Sequence, residues 1–463
     1  YTFVSDVYDV EPPHEPIDNS GANYPDLVEG LIPVVYNETS SKWVKADTES
    51  STSTYGWYDY TNKKWANAIL VTEKNRATYQ SATAGTEITD SDILAFYVWI
   101  PRYKYKVWNI NKVMGTDSYN AQTTGIDIVF ESGTASTGTI SCTYSFAEPS
   151  SEAGSPNETC TGANGDYYTH PAFTFGNNQI KGFWIGKYEL SSKTPTASYG
   201  GGSSTTLTPR ILPNVISWRR NTVSNFSTVI QNMQASNNIY GLSTNKSTTD
   251  SHMLTNMEWG AVAYLTNSNY GRCSNGTCTE VTINNCSTFV TGIGADTVSA
   301  SKSSTTCTTE ANKYNGAKGV LASTTGNVYG VYDMSGGANE YVMGNVSSTA
   351  DTYTFYNSSA GFASSWYNDY SNQKYVNTYA NGGHPFYQGA FNRGRLGDAT
   401  GEVVLSTGTG DGWYNDFAYF PYSNRSWFLH GGYYDSNSDA GVFNFFCYNG
   451  DVNSNFSARA ALV

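Results

Sequence analysis

The closing stretch of the chain, from residue 427 onward, carries the side chains best suited to a chemical task. Short apolar segments alternate there with runs of Tyr, Asn, Ser and Asp. Tyrosine provides a large contact area at a low cost in conformational entropy, and Ser, Asn and Gly provide adaptable hydrogen bonds, as in antibody paratopes. The pattern therefore predicts a rigid frame that carries recognition loops, and it favours binding over catalysis.

The cysteines indicate local disulfides. Of the seven, two bracket one polar loop and four lie within another. Such clustering is typical of disulfides that form in an oxidising compartment. Zinc is the alternative for the Cys273-x4-Cys278 spacing, but no histidine lies near it in the sequence. The connectivity stays open at this stage, and the simplest pairing is Cys142 with Cys160, Cys273 with Cys278 and Cys286 with Cys307, which leaves Cys447 over.

Acidic and histidine residues offer a second kind of candidate chemistry. Asp411 and Asp416, with Asp435 and Asp439, could form a calcium site because Ca²⁺ prefers oxygen ligands. Clustered exposed Asp in an acidic protein is the favoured explanation of the same pattern. The five histidines are scattered, without a Ser/His/Asp or a zinc spacing. The sequence therefore predicts no catalytic residue and no cofactor apart from this calcium.

The overall composition is typical of a secreted, β-rich protein. The chain has 463 residues, of which 14% are charged and 15% are aromatic. Its net charge of −13 argues against nucleic acid and anionic membranes as partners. No stretch approaches the roughly 18 consecutive apolar residues of a membrane span, so no membrane insertion is expected. The first residue is Tyr1 and not methionine, which predicts a processed or incomplete start.

Composition shifts along the chain predict three units. Residues 1–40 contain several prolines and predict an extended tether or a segment for strand addition. Residues 41–90 predict a small β module of short strands. Residues 91–463 predict the main ligand-binding domain, with polar insertions at about 131–168 and 268–310.

Few elements of the main domain have a strong local pattern. The apolar run at 93–108 ends in alternating Tyr and Lys, which predicts a strand that leaves the core at an edge. Residues 126–130 predict another strand. Apolar residues at helical spacing predict helices at 225–237, capped by Ser224, and at 253–265. The fold class expected is α+β, rich in β-strands and poor in helices.

Several motifs, in order along the chain, resemble one family. Residues 182–189 are similar to its opening strand, and 254–263 to its L-P-T-E-A-E-W-E-x-A helix. Residues 329–340 resemble G-L-Y-D-M-x-G-N-V-x-E, and 429–433 resemble L-R-G-G-S-[WF], followed by a closing arginine strand at 457–459. This is the formylglycine-generating-enzyme (sulfatase-modifying factor) type of C-type-lectin fold. The resemblance covers roughly residues 170–463 and implies a C-type-lectin-like domain.

The resemblance does not extend to the chemistry of those enzymes. They need a pair of reactive cysteines shortly after the R-G-G-S motif, where this chain has Ser436 and Gly441. The motif arginine is replaced by His430, and the lone Cys447 cannot supply a copper-binding pair. The expectation is a protein without enzymatic activity.

The end of the chain also resembles the variable proteins of diversity-generating retroelements, whose last segment is mutated at adenine positions. Mutated AAC codons never give Lys, Glu, Gln, Met or Trp, and none of these occurs from Gly431 to Phe456. A Tyr/Asn-rich loop could lack the five by chance, so both explanations stay open. On the diversified alternative the ligand-binding residues are Tyr433, Tyr434, Asp435, Ser436, Asn437, Asp439, Asn444, Phe446, Tyr448, Asn449, Asp451, Asn453 and Asn455.

The frame of that surface follows from strand alternation. In the run 442–446, Phe443 and Phe445 are expected to point inward, while Asn444 and Phe446 point outward. A frame role is also expected for Val442, Trp427 and Arg459.

These observations predict an extracellular ligand-binding or adhesion protein on a cell surface, a pilus or a phage particle. Its partner would be a protein or glycan ligand on another cell or particle. The alternative is a structural subunit of a filament, pilus or virion that self-assembles through residues 1–40. An oxidase of the formylglycine-generating type is the third hypothesis.

Overall fold

The computed structural model describes residues 14–147, 157–285, 290–295, 310–347, 355, 358–382, 385–407 and 411–463. In these ranges the protein is rich in β-strands and has few helices, which is compatible with a C-type-lectin-like fold. A helix that spans a bilayer needs about 20 predominantly apolar residues, and no helix of the described ranges meets that need for length and apolarity.

The strands and helices are short and are separated by long connections. The helices are α1 (Glu73–Ser81), α2 (Ala121–Thr124), α3 (Val223–Gln231), α4 (Asn256–Thr266), α5 (Ser364–Asn368) and α6 (Gln388–Phe391). The strands are β1 (Ile32–Asn37), β2 (Lys42–Lys45), β3 (Asn67–Val71), β4 (Ile93–Pro101), β5 (Tyr103–Lys106), β6 (Ile128–Phe130), β7 (Ser141–Tyr144), β8 (Glu158–Thr161), β9 (Tyr167–Thr169), β10 (Thr174–Phe175), β11 (Asn178–Gln179), β12 (Gly182–Gly186), β13 (Ser191–Ser192), β14 (Pro209–Arg210), β15 (Val215–Ile216), β16 (Ser251–Met253), β17 (Cys273–Ser274), β18 (Thr277–Cys278), β19 (Gly292–Ile293), β20 (Asn339–Val346), β21 (Asn377–Tyr379), β22 (Trp427–Gly431), β23 (Gly441–Tyr448), β24 (Phe456–Ala458) and β25 (Ala460–Leu462).

A seven-stranded sheet forms the centre of the molecule, with the strand order β16-β25-β12-β4-β3-β1-β2. Strand β4 lies in its middle and is buried along its whole length, because elements cover both faces of the sheet. Its apolar residues need no alternation with polar ones for that reason. The strongest strand predicted from the sequence is thus confirmed, and β5 and β6 confirm the Tyr/Lys continuation and the strand at 126–130.

This sheet runs across both predicted unit boundaries. Strands β1 and β2 pair with each other across residue 40, and β3 pairs with β4 across residue 90. The chain's C-terminal strand β25 pairs with β12 in the same sheet. Residues 41–90 are therefore part of the main domain and not a separate module. One continuous hydrophobic core contains residues from Ala22 to Leu462.

The N-terminal segment is also part of the domain from residue 14 onward. The amide of Asn23 donates to the carbonyls of Gly133 and Lys181, and Trp184 Nε1 donates to the Asp26 carbonyl. Strand β1 is paired on both sides, so it offers no free edge for strand addition. The tether prediction is thus wrong for residues 14–40, and residues 1–13 lie outside the described ranges.

The two predicted insertions contain ordered β-hairpins. Strands β7 and β8 pair at the first, and β17 and β18 pair at the second. Each hairpin contains a cross-strand disulfide, Cys142–Cys160 and Cys273–Cys278, so the second pair is not a zinc site. The proposed partners Cys286 and Cys307 lie outside the described residues.

A second sheet carries the end of the chain, with the order β21-β20-β22-β23 and with β24 added to β20. Helix α4 packs against β20 and is buried on all sides. Its first turn is closed by a capping box, in which Thr255 accepts from the Glu258 N–H and the Glu258 carboxylate accepts from the Thr255 N–H. Both predicted helices exist, although α3 is capped by Thr222 in place of Ser224.

Candidate ligand-binding surface

A two-stranded hairpin forms the frame of the candidate surface. Strands β22 and β23 pair in antiparallel fashion from Trp427 opposite Tyr448 to Gly431 opposite Gly441. The side chains expected to form the frame are buried, namely Trp427, Val442, Phe443, Phe445 and Arg459. The loop at 432–440 closes the hairpin, and its residues 433–439 reach the surface.

His430 connects the hairpin to helix α4. Its ring stacks on Trp259 with the centroids 4.8 Å apart, and its Nε2 lies 2.6 Å from Oδ1 of Asn256. Burial lowers the pKa of His430 to about 3, so the ring is neutral. Its Nδ1 lies 2.9 Å from the Asn444 carbonyl on β23. The residue that stands in the place of the family's arginine therefore has a positioning role here.

A buried ion pair fastens the last strands to the sheet. Arg459 Nε donates to Glu340 Oε2 at 2.9 Å, and its Nη2 donates to Glu340 Oε1. The same guanidinium donates to the carbonyls of Gly186 and Tyr332, both at 2.9 Å. One side chain thus links β20, β12 and the turn before β20, and this link explains the frame role predicted for Arg459.

Two glycines and a short turn shape the hairpin loop. Gly431 and Gly432 have φ angles of +86° and +70°. The Tyr434 N–H donates to the Gly337 carbonyl, and the Tyr433 N–H donates to Ser436 Oγ. Residues Asn437–Asp439 form a single 3₁₀ turn. These backbone bonds fix the loop, so its side chains are presented in a defined arrangement.

Replacing Gly432 by alanine is expected to lower the free energy of unfolding by about 2–4 kcal/mol, as measured by urea denaturation. A Cβ at this position would lie 2.7 Å from the Ala440 Cβ, in addition to the cost of a left-handed backbone. Gly276→Ala is the matched control, because Gly276 has a φ of +71° and no atom within 4 Å of the added Cβ. Equal losses in the two variants would contradict the close packing of the loop.

The structure divides the predicted ligand-binding residues by position. On the hairpin loop, Asn437 and Asp439 are exposed, and the others are partly exposed, namely Tyr433, Tyr434, Asp435 and Ser436. Phe446 is partly exposed on the outer side of β23. Asn444 is buried at 3% exposure, because its amide donates to the Asp439 carbonyl under the loop. This finding corrects the prediction that Asn444 points to solvent.

The remaining predicted residues lie on the segment 448–455, which returns along the second sheet. The segment begins at Tyr448, which lies opposite Trp427 in the hairpin. At the other end of the segment, near the hairpin loop, the Asn455 carbonyl accepts from the Asn339 N–H. Its carbonyls are bound by neighbours: that of Gly450 by the Val223 N–H, that of Asp451 by the Tyr341 hydroxyl, and that of Asn453 by the Arg220 N–H. The partly exposed side chains are Tyr448, Asn449, Asp451, Asn453 and Asn455.

The predicted residues consequently do not form one patch. The seven residue steps of β23 separate Tyr448 from the loop by about 23 Å. Asn455 and Tyr434, in contrast, both bond to the 337–339 segment, which brings the end of the return segment beside the hairpin loop. The combined surface is therefore the loop at 433–439 together with residues 453–455.

Sequence reasoning missed the aromatic residues that surround Phe446. Phe417 and Tyr419 lie 5.6 and 5.5 Å from its ring, measured between centroids. Both rings are partly exposed. Ala418, which lies between them in the sequence, and Phe420, which follows Tyr419, are buried. The alternation at 417–420 was the available signal, but it is only four residues long.

The calcium candidates have structural roles. Asp416 is buried, and its Oδ2 accepts from the Phe443 N–H at 2.9 Å, which fastens β23. Burial raises the pKa of Asp416 well above its ordinary value. Asp411 accepts from the Ser406 hydroxyl. Within the described part of the chain, neither carboxylate belongs to a group of three acidic, Cys or His ligands that could hold a metal ion.

The positions that correspond to the reactive cysteines lie on the hairpin. Ser436 is in the loop and Gly441 begins β23. Cys447 is a buried free thiol on the core side of β23, and burial raises its pKa. A buried, protonated thiol is a poor nucleophile.

Comparisons with known proteins give only distant likenesses. No protein-family model matches the chain, and no curated protein matches it either. Among solved structures, Treponema denticola variable protein 1 is similar at 12% identity and a TM-score of 0.26, over 70% of this chain and 94% of that one. The P3c and U1 variants of the Major Tropism Determinant are both 12% identical, with TM-scores of 0.23 and 0.24. They cover 95% and 97% of this chain, and 96% and 98% of their own. Likeness at these scores does not establish a common fold.

Proposed function

We propose that this chain is an extracellular ligand-binding protein of the adhesion or receptor-binding kind. Its recognition surface is the hairpin loop at 433–439 together with residues 453–455. The observation that carries this proposal is the division of the hairpin into a buried frame and a loop whose Tyr, Asn, Ser and Asp side chains reach the surface. A preorganised loop loses little conformational entropy when it binds.

The two disulfides support an extracellular location. Cross-strand disulfides persist in oxidising environments and are rare in the cytosol. A cell surface, a pilus or a virion would each satisfy this requirement.

The same division supports programmed variation of the loop. The exposed and partly exposed loop side chains can change without altering the core, because Val442, Phe443 and Phe445 carry the packing. We infer that the segment is diversified by a retroelement. The test is to sequence the gene's surroundings: a near-identical repeat and a reverse-transcriptase gene are expected, and the absence of both would contradict the inference.

Changing Tyr433, Tyr434, Asn453 and Asn455 together to serine is expected to weaken cell binding at least about 100-fold. The reason is that the loop tyrosines are the large contact groups of the surface. Binding of the labelled chain to a panel of cells is measured by flow cytometry. Tyr370→Ser is the matched control, because Tyr370 is 74% exposed and lies elsewhere. Undiminished binding by the variant with all four substitutions would contradict the assignment of the recognition surface.

Within the described residues 14–40, strand β1 is already paired on both sides and so is not free for the strand addition that the subunit alternative requires. Gel filtration with electron microscopy separates the two functions. A monomer that binds cells supports the recognition function, and filaments that do not bind cells would support the subunit.

A further inference from the structure

A second surface on the same hairpin exposes aromatic rings beside one arginine. We define the aromatic platform as Phe417, Tyr419, Tyr422, Arg425 and Phe446. The Tyr419 ring lies 5.5 Å from that of Phe446 and 6.2 Å from that of Tyr422. The rings of Phe417 and Tyr419 are nearly parallel, with 9° between their planes. All five side chains are partly exposed.

The platform is held in place by backbone pairing. The Tyr419 N–H donates to the Phe445 carbonyl, and the Phe445 N–H donates to the Phe417 carbonyl, both at 3.0 Å. The segment at 417–420 thus runs beside β23, with Ala418 bridged to Phe445. Phe417 and Tyr419 lie next to Phe446, and the partly exposed Phe386 ring packs edge-on against Tyr419 with the centroids 4.4 Å apart. Phe420 packs on Phe428 in the core. The rings are therefore presented by a rigid base and not by a free loop.

The platform places partly exposed rings side by side and so offers a partner contiguous aromatic area. Contiguous exposed apolar patches are uncommon on monomeric soluble proteins and mark interaction sites. Aromatic residues and arginine are also the residue types enriched at the energetic centres of protein interfaces.

The charge on the platform differs from that of the rest of the chain. The Arg425 guanidinium lies 5.9 Å from the Phe446 ring centroid. Among the described residues, no Asp or Glu forms an ion pair with Arg425. The chain as a whole carries a net charge of −13. A partner that contacts the aromatic platform therefore meets a local positive charge. A carboxylate on that partner would complement the charge.

We propose that the aromatic platform binds a protein segment that presents Asp or Glu beside a large apolar side chain. The apolar side chain packs on Phe417, Tyr419 and Phe446, and the carboxylate pairs with Arg425. A protein segment fits better than a glycan, because two of these three rings are phenylalanines, which offer a sugar no hydroxyl. The proposal rests on the recognition function above and names the chemistry of its partner.

The test uses the full chain and a phage-displayed library of random peptides. Selected peptides are expected to be enriched in Asp or Glu next to Leu, Ile or Phe. The double variant Phe417→Ser/Tyr419→Ser should bind them at least about 30-fold more weakly. Selection on Arg425→Glu should shift the enrichment to Lys and Arg. Tyr370→Ser and Lys74→Glu are the controls and should leave the selected peptides unchanged, since both side chains are exposed on other elements.

Four outcomes would overturn the proposal. Selected peptides without an acidic preference would do so, and so would equal binding by wild type and the double variant. If the wild-type chain binds glycans in an array and both platform variants abolish that binding, the partner is a sugar and not a protein segment. Arg425→Glu leaves the rings in place, so it remains informative if the double variant is poorly folded. Cell binding that is lost in the hairpin-loop variant but kept in both platform variants would refute the platform alone.

Discussion

Replacing Arg459 by leucine is expected to lower the free energy of unfolding by about 3–5 kcal/mol. The change removes the bidentate partner of Glu340 and leaves its carboxylate buried at 0% exposure without a cation. It also leaves the carbonyls of Gly186 and Tyr332 without their guanidinium donors. Chemical denaturation in urea measures the loss, and the cell-binding surface should be lost with the fold.

Two controls separate the buried pair from ion pairs in general. Lys42→Ala removes the exposed pair with Asp90, whose side chains are 37% and 66% accessible, and should leave the free energy of unfolding nearly unchanged. The double variant Arg459→Leu/Glu340→Leu should recover part of the stability, because no unpaired charge remains. A loss below about 1 kcal/mol in Arg459→Leu would contradict a stabilising role for this pair.

As the pH rises from 6.5 to 8.5, Glu402 and Asp333 are together expected to lower the free energy of unfolding by about 2–3 kcal/mol. Burial raises the pKa of Glu402 to about 8 and that of Asp333 to about 7. In the unfolded chain both ionise near pH 4, so the folded state binds more protons across this range. The stability that these groups contribute is present at low pH and is lost as the pH rises through the folded-state pKa values.

Burial keeps Glu402 protonated against the effect of its hydrogen bonds, because desolvation raises its pKa while the donors that face it lower it. Its carboxyl group accepts from the Tyr264 hydroxyl and the Gly397 N–H, both at 2.6 Å, and from the Tyr105 hydroxyl at 3.1 Å, in a site without solvent contact. Burial lowers the pKa of His170 and His430 to about 3. Those histidines destabilise the fold only below about pH 6.5, so they do not offset the loss above it. Burial lowers the pKa of Lys187 well below its ordinary value, so this group opposes the loss, and a comparison with Glu402→Gln isolates the carboxyl contribution.

Melting temperatures between pH 6.5 and 8.5 test the prediction. Glu402→Gln should flatten the upper part of the curve, because the substituted side chain cannot ionise. Glu38→Gln is the control, since Glu38 is exposed, and should leave the slope unchanged. A slope as steep in Glu402→Gln as in the wild type would contradict the prediction.

Local pattern in the sequence was sufficient for the elements that form from near neighbours. The apolar run of β4, the helical spacing of α3 and α4, and the two hairpin disulfides all depend on residues less than about twenty positions apart. Alternation in 442–446 identified Phe443 and Phe445 as frame residues for the same reason. Alternation predicted that Asn444 would be exposed, but the residue is buried because the loop of the same hairpin folds over it.

Long-range pairing decided what local pattern could not show. Strand β1 lies in the same sheet as strand β25, which is at the other end of the sequence. The composition near residues 40 and 90 carries no information about pairing between segments so distant in the sequence. Asp416 became a backbone acceptor for β23, and 417–420 became a neighbour of β23, only through such pairing. The sequence by itself determined which residue types the chain offers for recognition. The tertiary structure alone decided which of them share a surface, because side chains meet through sheet register and not through their spacing along the chain.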